Sequence, residues 1–286
     1  MILRSLLFVP GDSERKQAKA VDSHADALLL DLEDSVALPQ LPAARHRVRE
    51  LLTARSDRSQ QQLWVRVNAL SSGLLLEDLV AVFPGAPDGL VLPKVVTPAD
   101  ILQVGHYLTA LEVREGRAPG ATKLLIIATE TPQAALNLNS YVPHERILGL
   151  TWGSEDLSAA MGVTRKTDQQ GALTFTFQMV RTLCVLTATA LGVQPIDGVY
   201  VDFRDGAGLQ REAEEARRDG FTGKLAIHPD QVAPINAAFT PSQSEIDWAR
   251  RVVAAFAQSP AAGVVNLDGK MVDKPHLLQA RRILDL

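Results

Sequence analysis

A (β/α)8 barrel is the fold class this sequence predicts, and two observations carry the prediction. Eight short apolar runs of strand length alternate with helix-patterned segments almost from end to end, within about 240 residues. Two of those runs end in carboxylates: Lys123–Thr129 stops at Glu130, and Arg146–Ser154 stops at Glu155 and Asp156. A buried parallel strand reads as a nearly continuous apolar run, and an acid at its exit projects from the C-terminal rim of the sheet, where α/β proteins carry their chemistry. An open doubly wound sheet accounts less well for eight units, because it usually uses fewer strands.

In chain order, strands are expected at Ser5–Val9, Ala27–Leu32, Leu63–Val67, Gly89–Pro93, Leu124–Thr129, Ile147–Trp152, Asp197–Val201 and Lys224–Ile227. After the first, Pro10-Gly-Asp-Ser-Glu-Arg-Lys16 is a turn running into a helix N-terminus, with Ser13 as the cap. Thr97-Pro98-Ala99-Asp100 joins an N-cap Thr to Pro at the first helical position and an acid at the third. The apolar stretch Phe175–Leu191 is interrupted by Gln178, Arg181 and several threonines, so it reads as a core helix and not as a membrane span. Thr240-Pro241-Ser242-Gln243 starts a helix over Glu245–Ala257. Ala261–Lys270 then reads as a loop or hairpin and Pro275–Leu286 as a last short helix. The expected organisation is a catalytic barrel over residues 1–258 and a lid segment over 259–286, placed to cover the active-site mouth or a neighbouring subunit.

Composition narrows the partners. A chain of 286 residues with 46% hydrophobic content can bury a full core. Its formal charge of −4 argues against nucleic acid or an anionic membrane as the main partner. The single Cys184 cannot form an internal disulfide and reads as a buried structural thiol, which favours a reducing, cytoplasmic compartment. The apolar run at the N-terminus is too short for a secretory signal.

On the barrel, the ionisable residues at or just after strand ends are Glu33, Asp34, Arg66, Lys94, Glu130, Glu155, Asp156, Asp202 and His228, and a barrel converges such residues on one mouth. Glu130 and Asp156, without cysteine or clustered histidine, make a hard oxygen site suited to Mg²⁺ ahead of Zn²⁺; alternatively they cap the helices that follow. Glu33 and Asp34 are candidates for holding metal-bound water or orienting Arg66. Asp31 reads as structural, paired with backbone or an arginine. Arg66, between two valines on an inward phase, needs an anion: a carboxylate-bearing ligand, or Glu33 and Asp34. Lys94 shares that phase. His228 is placed as lining the site, and His24, His46, His106, His144 and His276 as surface or interface residues. Arg15 and Lys16 oppose the dipole of the first helix, which an incoming phosphate explains, as does simple solvation. No dinucleotide or P-loop glycine pattern occurs, since Asp205-Gly-Ala-Gly208 lacks the third glycine.

Taken in order, Arg4-Ser-Leu-Leu-Phe-Val-Pro-Gly-Asp-Ser-Glu-Arg-Lys16, Leu30-Asp-Leu-Glu-Asp-Ser-Val36, Val65-Arg-Val-Asn68, Leu92-Pro-Lys-Val95, Thr129-Glu-Thr-Pro132, Gly153-Ser-Glu-Asp156 and Gly269-Lys-Met-Val-Asp273 resemble the β subunit of citrate lyase. They resemble equally the free-standing CitE-like, malyl-CoA and citramalyl-CoA lyases of the HpcH/HpaI aldolase superfamily. The resemblance spans essentially the whole chain. It implies a (β/α)8 barrel, a homo-oligomer (trimer or hexamer), that uses Mg²⁺ to cleave or form a C–C bond beside a CoA thioester. By resemblance, Glu130 and Asp156 are the metal ligands, Arg66 faces the oxo-acid oxygen, and Glu33 and Asp34 surround metal-bound water. Asp273 matches the acid that the family brings in on the C-terminal lid, commonly from the adjacent subunit; read from the residues alone it is a loop acid near a terminal helix. Arg15 and Lys16 become CoA phosphate contacts. The implied reaction takes a 3-hydroxyacyl-CoA, such as citramalyl-CoA or malyl-CoA, to acetyl-CoA and a 2-oxo acid. The alternatives are a citryl-thioester lyase subunit served by an acyl-carrier protein, a CoA-independent hydroxy-oxo-acid aldolase, and an inactive scaffold; the charged residues gathered at the rim argue against the last.

Overall fold

The computed structural model describes residues 2–260 and 262–285. Ala261 and Leu286, which the sequence assigns to the C-terminal hairpin and helix, lie outside the described residues, as does Met1. The elements run β1 (Ser5–Pro10), α1 (Glu14–Val21), β2 (Ala27–Asp31), α2 (Leu41–Ala54), β3 (Gln62–Arg66), α3 (Leu75–Val82), β4 (Gly89–Leu92), α4 (Pro98–Arg114), β5 (Lys123–Ile127), α5 (Pro132–Leu136), β6 (Ile147–Thr151), α6 (Ser154–Met161), α7 (Phe175–Leu191), β7 (Gln194–Asp197), α8 (Gly206–Arg218), β8 (Gly223–Ala226), α9 (Val232–Phe239), α10 (Gln243–Gln258), β9 (Val264–Leu267), β10 (Lys270–Asp273) and α11 (Lys274–Asp285). Strands β1 to β8 are parallel and close into a barrel in sequence order, β1 pairing with β8.

Alternation along the strands divides the core. Ala27 and Leu29 on β2, Trp64 on β3, Val91 on β4, Leu125 and Ile127 on β5, Ile196 and Leu225 fill the barrel interior. Their neighbours Leu28, Leu30, Leu63, Val65, Leu124 and Ile126 point outward and pack under the helices. Trp64 is the largest interior side chain and is 1% exposed. It fits because β4 begins with Gly89, where a Cβ would stand 2.3 Å from the indole ring. Burying such a side chain contributes about 1.5–3 kcal/mol.

The helix starts follow their local chemistry. Thr97 and Asp100 form the expected capping box at α4, with Pro98 at the first position. Ser242, within the expected start Thr240–Gln243, caps α10 together with Glu245. Cys184 lies fully buried on α7, and burial pushes its thiol well above the ordinary range, as a structural thiol requires.

One strand departs from expectation. The seventh strand is Gln194–Asp197, not Asp197–Val201, so Asp202 is not at a strand exit but in an exposed loop. The apolar Val199-Tyr-Val201 run suggested the later frame, while Pro195 reads as a strand breaker. In the barrel Pro195 keeps its carbonyl bonded to the Thr222 N–H, and its neighbour Ile196 fills the interior. Asp197 thus closes β7. It is buried against Lys224 Nζ (2.7 Å), Arg181 Nε (2.9 Å) and Trp152 Nε1 (2.8 Å). Burial alone would raise its pKa, but those two cations hold it far below the ordinary carboxylate range.

At the C-terminus, β9 and β10 form an antiparallel hairpin before α11. Val272 and Ala280 share a small apolar cluster with Ala249, Val252 and Phe256 of α10, separate from the barrel core. Helix α10, expected within the barrel, therefore packs with the tail, and α9 contacts β1, β8 and α8 as the barrel's own last helix.

Candidate active site at the barrel mouth

Register alone brings the first two charged groups together. Asp31 ends β2 opposite Arg66, which ends β3, and both lie on the inward phase above Leu29 and Trp64. Arg66 binds Asp31 through two hydrogen bonds, Nε to Oδ1 and Nη2 to Oδ2, each 2.7 Å. Its guanidinium also lies over the Phe8 ring, 4.7 Å from the centroid. The anion that Arg66 needs is supplied first by Asp31, which fixes the fork as the arginine pairing expected of that buried acid, and Nη1 reaches on to the expected Glu33 at 3.0 Å and Asp34 at 3.6 Å. Asp31 is 1% exposed. Burial works to protonate it, yet Arg66 and the N–H groups of Glu33 and Ser35 hold it below its ordinary value.

Lys94 gathers the remaining acids. Its Nζ lies 2.5 Å from Glu33 Oε1, 3.3 Å from Asp34 Oδ1 and 3.6 Å from Asp156 Oδ1. Its backbone N–H donates to Glu130 Oε2. The backbone is left-handed at Lys94, with φ of 54°, which costs a non-glycine residue roughly 1–2 kcal/mol. That turn aims the N–H at Glu130. Burial disfavours the ammonium, but Glu33, Asp34 and Asp156 raise its pKa far above the ordinary range.

Glu130 is 2% exposed and enters the mouth from the exit of β5. Its carboxyl is pushed up to about 8, chiefly by burial and further by Glu33 and Asp156, against the Lys94 N–H. Burial likewise raises Glu33 in spite of Arg66 and Lys94. Glu33 Oε2 is buried and, although 3.0 Å from Arg66 Nη1, accepts no aligned hydrogen bond. Gly153 leaves the room that Glu130 fills: a Cβ there would stand 2.6 Å from Glu130 Cγ. Glu130 does not cap the next helix, since Thr131 accepts the Ala134 N–H. Asp156 stays half-exposed in the first turn of α6.

Glu130 and Glu33, raised by burial and by neighbouring acids, mark a donor set short of positive charge, and all its donors are oxygen. Among the described residues, no group of three or more acids, histidines or cysteines stands as a ready metal cage. Carboxylate oxygen alone is the donor chemistry that suits a hard divalent ion such as Mg²⁺.

A cleft of about 600 Å³ opens beside Asp31 and Arg66 at the β1 and β8 exits. Asp31 and Arg66 line its inner end, Arg15, Lys16 and Lys19 one wall, and Val199, Ile227 and His228 the other. His228 stacks on Phe203, with ring centroids 5.0 Å apart. The structure so brings Arg66, Arg15, Lys16 and His228 into one channel, and Glu33, Asp34, Glu130 and Asp156 beside it. It does not bring in Asp273, whose carboxylate bonds His276 Nδ1 at 2.5 Å at the start of α11. That bond holds Asp273 below its ordinary pKa. Glu155 pairs with Lys166 and accepts from the Ser154 hydroxyl. Sequence reasoning undervalued Asp31 and Lys94; the signal for Asp31 was its inward phase two residues after Leu29.

A family model described as HpcH/HpaI aldolase/citrate lyase matches residues 4–229. A (3S)-malyl-CoA thioesterase of Cereibacter sphaeroides (strain KD131 / KCTC 12085) is 36% identical over 283 residues, spanning 98% of this chain and 93% of the relative. A mitochondrial citramalyl-CoA lyase of Rattus norvegicus is 36% identical over 296 residues, spanning 99% and 85%. Among solved structures, CitE from Mycobacterium tuberculosis in complex with magnesium, acetoacetate and coenzyme A superposes with a TM-score of 0.80 at 32% identity, covering 99% of this chain and 97% of that one.

Proposed function

We propose, because the chain belongs to the HpcH/HpaI aldolase/citrate lyase family, that it is a carbon-carbon lyase of the CitE-like type working beside a CoA thioester. The substrate is a 3-hydroxyacyl-CoA such as citramalyl-CoA or malyl-CoA, and the products are acetyl-CoA and a 2-oxo acid. The observation that carries this reading is the joined geometry of the mouth. A guanidinium locked by Asp31 stands beside an under-compensated acid cluster, at the inner end of a cleft whose outer wall carries Arg15, Lys16 and Lys19.

Glu130 and Asp156 are the residues that would hold Mg²⁺, with Glu33 and Asp34 around its waters. When bound, that ion supplies Lewis-acid polarisation and neutralises the carboxylate and oxygen of the oxo-acid half. Arg66 donates to the substrate oxygen that changes from hydroxyl to carbonyl, and its fork is preorganised because Asp31 fixes it before substrate arrives. Arg15 and Lys16 bind CoA phosphates, and His228 lines the thioester path. Asp273, delivered with the C-terminal segment as a lid from a second copy of the chain, moves the proton at the α-carbon of the thioester. Self-association is supported by the stripe of exposed apolar residues Phe175, Met179, Leu183 and Leu186 on α7, and the assembly proposed is a trimer or hexamer. No helix of the described residues is long and apolar enough to cross a membrane. The buried, unpaired Cys184 supports a reducing, cytoplasmic setting.

The test is purified protein with Mg²⁺ and a panel of CoA thioesters, assayed separately for free oxo acid and free thiol. Oxo acid with acetyl-CoA supports the lyase. Free thiol with the intact hydroxy acid supports hydrolysis, a second reading favoured by the equal identity of the malyl-CoA thioesterase relative. Turnover restricted to a carrier-bound citryl group replaces both with a complex subunit.

A further inference from the structure

Lys94 touches the four acids of the mouth that lie beyond the Asp31–Arg66 pair. Through side chain or backbone it contacts Glu33, Asp34, Asp156 and Glu130, although these leave the exits of three different strands. The other cation there, Arg66, is fixed by two bonds to Asp31 and by the Phe8 ring, with its side chain 12% exposed. Lys94 is held differently. Its side chain is 31% exposed, its ammonium is a point charge on a flexible stem, and it binds each carboxylate through one atom. A divalent ion held by Glu130 and Asp156 brings two positive charges against this ammonium and takes the Asp156 oxygen that now faces it. Two cations cannot share one carboxylate oxygen in a half-buried site without strong repulsion, and only Lys94 is free to yield.

We propose that Lys94 is a tethered counter-cation of the acid cluster, which gives up Asp156 when a divalent ion enters, so that metal binding at this mouth is an exchange. This rests on the reading that Glu130 and Asp156 ligate Mg²⁺. The exchange does two things. It keeps the acid cluster from standing uncompensated before the metal arrives, and it moves the ammonium off Asp156, leaving it tethered by Glu33 and Asp34, at the moment when an anionic substrate has somewhere to bind. Lys94 is in this sense a positioning residue for both.

The experiment titrates the full-length protein with Mg²⁺ alone by calorimetry, comparing wild type with Lys94→Met, Lys94→Gly and Lys94→Arg. Removal of the competing ammonium is expected to tighten Mg²⁺ binding by about tenfold in Lys94→Met, the scale of one unit charge acting through partly solvated protein. Lys94→Gly keeps the N–H to Glu130 and relaxes the left-handed backbone, so agreement between it and Lys94→Met assigns the effect to the ammonium. Lys94→Arg is expected to stay close to wild type. A second measurement needs no variant: the rate at which an amine-reactive reagent modifies Lys94 in wild type, read by mass spectrometry, should rise with Mg²⁺. Unchanged or weaker Mg²⁺ binding in Lys94→Met, or Lys94 reactivity indifferent to Mg²⁺, overturns the exchange while leaving the ligands standing. Wild-type protein that binds no Mg²⁺ overturns the ligand assignment and the exchange with it.

Discussion

Gly153 and Glu130 face each other across the exits of neighbouring strands so closely that a single added carbon on Gly153 would lie 2.6 Å from Glu130 Cγ. The buried carboxylate at the heart of the mouth is thus placed by an absence on the next strand. Gly153→Ala is expected to weaken Mg²⁺ binding roughly 10- to 100-fold, the range seen when the support of a metal ligand is disturbed, although no ligand is changed. Mg²⁺ calorimetry reads the effect, and affinity equal to wild type would show that Glu130 is not needed where the structure puts it.

Arg66→Lys keeps the charge and loses the fork. One ammonium cannot reproduce the two bonds to Asp31 and still present a donor to substrate, so C–C cleavage should fall by about 100- to 1000-fold, as for loss of an oxyanion donor. Steady-state kinetics with the preferred thioester checks this. A fall confined to KM would assign Arg66 to binding alone.

If Asp273 is the proposed acid-base group, Asp273→Asn should slow exchange of the acetyl-CoA α-proton with solvent by about 100- to 10,000-fold while leaving Mg²⁺ affinity unchanged, because Asp273 lies apart from the acid cluster. Exchange followed by NMR in deuterated buffer provides the measurement. Normal exchange would remove Asp273 from the reaction.

Away from the mouth, Glu112 on α4 is fully buried, bonds Arg146 through both carboxylate oxygens, and accepts the Gly120 and Thr122 N–H groups. Burial opposes its charge, but those donors depress its pKa from 4.5 to about 2. A depressed acid stabilises the fold fully above its unfolded value and loses that contribution as pH falls, so stability should decline between 4.5 and about 2. Glu112→Gln should cost about 3–5 kcal/mol at neutral pH and flatten that part of the acid profile. Denaturant unfolding across pH tests both.

Much of this was legible in the residues because strand phase and strand exit are local properties. Glu130 and Asp156 declared themselves by ending apolar runs, and the Thr97 cap by its own three neighbours. What escaped depends on partners distant in sequence. Asp31 looked like a mid-strand structural acid, and its role appears only when register sets it beside Arg66. The reach of Lys94 depends on a left-handed residue that no propensity forecasts for lysine. The frame of β7 lies earlier than expected because Pro195 looks unlike a strand residue until the Thr222 N–H meets its carbonyl, while the apolar Val199-Tyr-Val201 run looks like one. Asp273 was visible only through resemblance, since its own neighbourhood, with His276 bonded to its carboxylate, carries no sign of the barrel mouth.

The hairpin and α11 are built around their own cluster of Val272 and Ala280 against α10, with a core that the barrel does not share. Substitutions there can accumulate without disturbing strand closure or the acid cluster, and substitutions in the barrel need not be matched in the tail. The chain therefore carries two separately mutable parts, one that holds the acid cluster at the barrel mouth and one that carries Asp273. A lineage can change the fate of its thioester by altering roughly the last forty residues while inheriting its binding chemistry intact.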